Sequence, residues 1–211
     1  MKKGESVLII PENYSLEHID WIAGNFSSDR FIAERAMYAF GLLEAVSRTG
    51  LKFIFKGGSC LMLLLDRPKR LSTDIDIIVD PGTDIDAYLK RAAGMFPFTD
   101  YEESIRPVHG NIVKRHFRFF YQSPVMDDRI TILLDVLYEY DGYPSVIEKP
   151  IEGDLLLTVM NRSMSECLMS IVFLEISSLL FHRIQQVYRY WPAKRWRLSN
   201  NSLTAQSCSG K

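Results

Sequence analysis

Residues Phe55 to Asp80 read "FKGGSCLMLLLDRPKRLSTDIDIIVD". A Gly-Gly-Ser turn is followed by a short apolar segment, a break at Arg67-Pro68, and a run from Thr73 to Val79 that has the composition of a buried strand. Within that run stand Asp74 and Asp76. Alternate side chains of a strand share a face, so the two carboxylates point the same way, about 6–7 Å apart, while Ile75 and Ile77 fill the other face. Repulsion and desolvation make such a pair unfavourable unless a cation lies between them, and a hard ion such as Mg²⁺ suits it. An edge strand with a solvated acidic face would give the same pattern. Just upstream, Gly57 and Gly58 allow backbone to approach a phosphate closely. Ser59 adds a hydroxyl, and the helix that follows offers unpaired N–H groups to an anion.

Working outward, Ser15 caps a helix to Phe26, and Phe31 to Arg48 repeats apolar residues at helical spacing (Ile32, Ala36, Phe40, Leu43, Val46) until Gly50. Lys52 to Lys56 reads as a strand, Gly58 to Leu65 as a short helix, and Thr83 to about Phe96 as another helix. A polar loop is expected from there to Asn111. Ile112 to Gln122 and Ile130 to Tyr138 then form two long strands joined by a turn at Pro124 to Asp128, and further sheet is expected at Val146 to Ile151 and Leu155 to Val159. Helices first and then a sheet argue for an α+β domain, with a mixed sheet and helices packed mainly on one side, rather than regular βαβ alternation.

The stretch "ITILLDVLY" is nearly continuous apolar sequence and reads as a central strand buried on both faces, so Asp135 within it needs a partner. Arg115 or Arg118 on the neighbouring strand could supply a structural ion pair. Taken with Asp74 and Asp76, Asp135 instead completes three carboxylates on adjacent strands, an arrangement used in two-metal phosphoryl and nucleotidyl transfer. Arg67, Lys69 and Arg70 lie close enough to meet a triphosphate or a nucleic-acid backbone, unless they are simply solvated. His109 and His116 show no metal spacing and read as ordinary surface or strand residues.

The 211 residues, 47% hydrophobic, suit one domain with a sizeable core and a short appendage. A net charge of -1 provides no field that would by itself predict nucleic-acid binding. Cys60, Cys167 and Cys208 have no metal-ligand spacing, and with no leader pattern before the first helix a reducing cytoplasm is expected. Cys167 to Phe181 is apolar but short for a membrane span and carries Glu175. No membrane association is expected. The composition changes abruptly after Glu166: 25 of the 26 acidic residues lie at or before it, and Glu175 alone faces six Lys or Arg beyond it.

Lys56-Gly57-Gly58-Ser59, then Arg70, Ser72, Asp74 and Asp76, with Asp135 on a later strand, resemble the AbiEii/AbiGii-type toxin nucleotidyltransferases. These are relatives of the MenT toxins within the polymerase-β-like superfamily. The likeness spans about Phe31 to Tyr138 and includes the helix ahead of the motif. The resemblance implies a polymerase-β-like nucleotidyltransferase fold and the toxin half of a toxin–antitoxin or phage-defence (abortive infection) system. Such an enzyme moves a nucleoside monophosphate from an NTP to an acceptor such as tRNA, with Mg²⁺, and has a cognate antitoxin. It further implies that Asp74, Asp76 and Asp135 are the catalytic, metal-holding residues. Lys56, Gly57, Gly58 and Ser59 would hold the triphosphate, and Arg70 and Ser72 would brace the metal strand or contact phosphate.

The likeness ends where the composition changes. The family continues with a helix similar to "LGDKLTAF", whose lysine belongs to the site, and a later one similar to "KxEIxKQLFD", whose aspartate does. Leu174 to Phe181, "LEISSLLF", admits codons that regroup under a one-nucleotide offset as LGDKLTAF. Lys194 to Leu203, "KRWRLSNNSL", regroups under the same offset as KMEIVKQLFD. The sequence therefore suggests a nucleotidyltransferase core over residues 1–160 and a tail over 161–211 read out of frame after a slip between about Thr158 and Glu166. Such a tail removes the family's site lysine and last aspartate and leaves the core partly uncovered, with Cys167 to Phe181 forming an accidental helix against the exposed surface. A small-molecule nucleotidyltransferase, or an inactive module that retains nucleotide or antitoxin contacts, is the alternative reading.

Overall fold

The computed structural model describes residues 9–65, 68–105, 113–140, 151–158, and the backbone of four further short strands at 146–149, 169–172, 196–199 and 202–205. Two units are distinguished, Met1–Glu175 and Ile176–Lys211. In the second, Trp196–Ser199 and Ser202–Ala205 pair as an antiparallel hairpin.

The first unit is a mixed α+β fold built on an open seven-stranded sheet. Its strands are β1 (Ile54–Lys56), β2 (Asp74–Val79), β3 (Phe98–Glu103), β4 (Val113–Gln122), β5 (Arg129–Tyr138), β6 (Val146–Lys149) and β7 (Met169–Val172), in the order β3-β4-β5-β2-β1-β7-β6. β2 runs parallel to β5 and antiparallel to β1. The carboxylate-bearing strand is thus central, which removes the edge-strand explanation for Asp74 and Asp76.

Helix α1 (Leu16–Phe26) starts where the Ser15 hydroxyl accepts the His18 N–H, and α2 (Arg30–Arg48) where the Asp29 carboxylate accepts that of Phe31. Such side-chain caps satisfy donors that the first turn leaves unpaired. α2 packs on the face formed by Ile75, Ile77, Phe117, Phe119, Ile132, Leu134 and Val136, all buried together with Met37, Phe40 and Leu43. Ile32, expected on the apolar stripe, is 42% exposed. Fully buried Glu34 accepts hydrogen bonds from Tyr121 Oη (2.7 Å), Ser123 Oγ (2.8 Å) and the Val125 N–H (3.2 Å). A buried carboxylate is tolerated because three donors replace water. These bonds also fix the first turns of α2 against the end of β4. Helices α3 (Gly57–Leu64) and α4 (Asp86–Ala93) complete the set.

Three sequence expectations change. Phe98–Glu103, read as loop, is β3: its pattern of one buried residue followed by mostly exposed ones hides the strand, which forms because β4 offers it an edge. Leu155 to Thr158 is not a strand among the described residues. It holds a turn and one bridge, Ile9 to Thr158, and Asn13 clasps it by donating to Leu157 O (2.7 Å) and accepting from Leu157 N (2.8 Å). Met169–Val172, expected within an accidental helix, is a strand that adds in parallel to β1 and pairs with β6. An open sheet edge offers unpaired backbone groups that a short apolar segment satisfies as a strand. Arg67, His109, Cys167, Cys208 and the segments 174–181 and 194–195 lie outside the described residues.

Candidate active site

The sheet has two unlike faces. β5 alternates buried Ile132, Leu134 and Val136 with half-buried Thr131, Leu133, Asp135 and Leu137. It is therefore covered on one face only, not on both as its apolar sequence suggests. Leu133 and Leu137 are apolar residues on the more open side, which periodicity cannot assign.

On that open side the strand registers line up a row of charge. Lys56 of β1 pairs with Asp76 of β2, Asp76 with Asp135 of β5, and Asp135 with His116 of β4. Neighbouring strands lie about 4.8 Å apart, and register partners share a face. Asp74, two residues before Asp76 and opposite Leu133, belongs to the same surface. The three carboxylates expected to act together thus occupy one face of two adjacent strands. Burial holds the Asp76 carboxyl above its ordinary range, Lys56 opposes the rise, and Asp135 and Asp74 add to it.

His116 is the partner of Asp135, with Nδ1 2.7 Å from Oδ1. Arg115 instead binds Glu103 at 2.7 and 2.8 Å and Asp86 at 2.9 Å, and its hydrogen bond lowers the Glu103 carboxyl below its usual range. Arg118 reaches Glu102 (3.3 Å) and Ser104 (3.2 Å). Counting back equally along both strands from the Gln122–Arg129 pair places His116, not either arginine, opposite Asp135; counted from the expected turn at Pro124 to Asp128 the residue opposite is Phe117, so the sequence alone misses this partner by one position. Arg35 of α2 was also missed. Its guanidinium lies 3.5 Å from Asp74 Oδ1, positioned by the anchored Glu34 beside it.

The Gly-Gly-Ser turn lies against the same residues. Gly57 has φ +80°, and a Cβ there would collide with the Asp76 carboxylate. A Cβ on Gly58 would lie 2.7 Å from Ser72 Oγ. Both glycines thus let the start of α3 close onto the Asp strand. Ser59 is buried, and its hydroxyl donates to the Asp74 carbonyl (2.5 Å), tying α3 to β2. Ser72 also donates its N–H to Met62 Sδ (3.0 Å). Lys69 and Arg70 are exposed.

Hard oxygen donors that repel one another on a half-open face are what a divalent cation satisfies, so the residue set fits Mg²⁺. Among the described residues no three His, Cys, Asp or Glu side chains already converge on one point. The Asp74 and Asp135 side chains are 50% and 36% exposed, so an ion from solvent can reach both.

The profile of the family described as "Nucleotidyl transferase AbiEii toxin, Type IV TA system" matches residues 41–162, more than half of the chain. The chain belongs to the AbiEii family. The AbiEii match takes in the glycine turn, the Asp-x-Asp strand and Asp135, and begins within α2, after Arg35. No curated protein matches the sequence. Among solved structures, JHP933 from Helicobacter pylori is 17% identical over 61% of this chain and 54% of its own, with a TM-score of 0.41. A candidate nucleotidyltransferase from H. pylori is 17% identical over 71% of this chain and 57% of its own, with a TM-score of 0.44. The chain spans a little over half the length of each of these proteins. Among the described residues no helix is long and apolar enough to cross a membrane.

Proposed function

We propose that the chain carries the active-site face of a polymerase-β-like, MenT-related nucleotidyltransferase toxin that moves a nucleoside monophosphate from an NTP to an acceptor such as tRNA. The observation that supports it is the placement of Asp74, Asp76 and Asp135 on one sheet face against the Gly57-Gly58 turn. Asp74, Asp76 and Asp135 would hold Mg²⁺, which when bound neutralises phosphate charge and orients the reacting oxygens. Lys56 presents a cation beside Asp76, and Gly57 and Gly58 let the first turn of α3, whose backbone N–H groups would receive the triphosphate, lie directly against the Asp strand. Ser59 keeps that turn in place through the Asp74 carbonyl, Ser72 packs beneath Gly58, and exposed Arg70 is available to phosphate. His116 orients Asp135. The setting is the cytoplasm, and the physiological partner is a cognate antitoxin of a phage-defence locus.

In the same reading the tail from about 161 is out of frame and the site lacks the family's later lysine and aspartate. Transfer by this polypeptide is then weak or absent, while Mg²⁺-dependent NTP binding persists at reduced affinity. The codons of the gene test the frame directly: a coding sequence that does not regroup as described for residues 174–181 and 194–203 rejects it.

Incubation with labelled NTPs, Mg²⁺ and total tRNA, comparing the chain, a frame-restored version and Asp74→Ala, tests the activity. Restoring the frame is expected to raise transfer, and Asp74→Ala in that background to lower it by about 100-fold or more. Transfer that survives Asp74→Ala refutes the assignment, and full turnover by the chain as it stands refutes the frame claim.

A further inference from the structure

A recess opens beside Asp74, on the flank away from α3. It has a volume of about 270 Å³ and is lined by Phe31 and Arg35 of α2 and by Arg129, Ile130, Thr131 and Leu133 of β5. Leu133 is the register partner of Asp74 and Thr131 shares its face, whereas Ile130, Phe31 and Arg35 come from the α2 side, so the recess lies at the margin of the sheet, where β5 extends past the start of β2 at Asp74.

Its lining contrasts with the row of charge next to it. Phe31, Ile130 and Leu133 supply apolar walls, the polar groups are one hydroxyl and two guanidinium groups, and no carboxylate lines it. Such a surface suits a flat ring whose rim carries carbonyl oxygens and ring nitrogens, and disfavours a cation. The volume falls just below the range typical of pockets for whole drug-sized ligands, about 300–1,000 Å³, and suits a single ring system better than an entire nucleotide. Of the two guanidinium groups, Arg129 is occupied: it lies 3.7 Å over the Phe120 ring and donates to Asp100 (3.2 Å). Arg35 is held more loosely. It stands 5.7 Å from the Phe31 ring centroid and 3.5 Å from Asp74, and its buried Nε has no hydrogen-bond partner. A buried donor left unpaired is unfavourable, so a shift of the guanidinium toward an acceptor in the recess would cost little.

Asp74 is bracketed, with α3 tied to its carbonyl by Ser59 and Arg35 at its carboxylate. We propose that the recess between the first turn of α2 and the start of β5 receives the base of the nucleoside triphosphate. This rests on the nucleotidyltransferase reading and extends it. The polyphosphate lies on the α3 flank, the base on the α2 flank, and the reacting α-phosphorus between them at the carboxylates.

Titration calorimetry of the full chain with Mg²⁺ and either an NTP or inorganic tripolyphosphate tests the proposal. The chain is expected to prefer at least one NTP over tripolyphosphate. Thr131→Trp, which fills the recess from a half-exposed strand position, and Phe31→Ala, which removes a wall, should each weaken that NTP about tenfold or more, the scale of one lost base-stacking contact. Tripolyphosphate binding should be unchanged, which also shows that the variants are folded. NTP affinity unaltered in both variants overturns the base subsite and leaves the nucleotidyltransferase reading standing. Equal loss of NTP and tripolyphosphate overturns it in favour of a phosphate subsite, and a loss confined to tRNA binding overturns it in favour of the acceptor. A chain that binds neither probe sinks this inference together with the reading beneath it.

Discussion

The two faces of the central sheet are made from alternate residues of the same strands, yet they obey different rules. Ile75, Ile77, Leu134 and Val136 are at most 1% exposed and packed under α2, while Asp74, Asp76, Asp135 and His116 form a half-open polar surface on the reverse side. The first face stabilises the fold by removing apolar area from water. The second holds like charges together at some expense to stability, as expected where a surface is arranged for a ligand rather than for folding. The contrast teaches that a carboxylate within an apolar strand need not be a flaw in the core.

The sharpest way to break this comparison is to shorten neighbouring residues of β5. Leu134→Ala, on the buried face, should destabilise the protein by about 2–5 kcal/mol in urea denaturation. Leu133→Ala, on the half-open face, should cost about 1.5 kcal/mol or less, because it leaves no closed cavity. Equal costs would mean that the two faces are not distinct. A smaller effect is expected at the seam between turn and strand. Gly57→Ala requires a left-handed backbone and displaces the Asp76 carboxylate, so about 1–2 kcal/mol of strain should come with weaker Mg²⁺-dependent NTP binding. Loss of stability without loss of binding would show that the turn does not support the site.

The smallest effect should have the opposite sign. Because the folded Asp76 carboxyl is raised above its ordinary value of 3.8, the folded state holds its proton more tightly than the unfolded chain does. Wild-type stability therefore falls as pH rises through the raised value, and Asp76→Asn escapes this loss. Above that range, in metal-free buffer, Asp76→Asn should melt on the order of a degree or two higher, after allowance for solvent screening. Added Mg²⁺ should stabilise the wild type and shrink the difference. A lower melting temperature for Asp76→Asn at neutral pH would show that the carboxylate stabilises the fold.

How much could be read in advance varied by element. The Gly-Gly-Ser turn, the Asp-x-Asp strand and the strand of Asp135 were legible because glycine chemistry and the two-residue period act over a few positions. β3 was not, since its exposed residues look like loop until β4 provides a partner. The open side of β5 was also hidden, because Leu133 and Leu137 are apolar wherever they point. Arg35 escaped notice and His116 read as an ordinary surface or strand residue because neither carries a local signature: one reaches Asp74 from a helix 39 residues upstream, and the other meets Asp135 only through hairpin register.

From the sequence alone it was determined that Asp74 and Asp76 share a face, that a tight turn precedes them, and that the composition changes after Glu166. Each of these depends on backbone period, local sterics or residue counts. Only the tertiary structure decided that Asp135 joins that face, that Lys56 and His116 flank the row, and that a recess lies beside Asp74. Which residues meet across strands depends on register and helix placement, and these follow from the packing of the whole core rather than from any one segment.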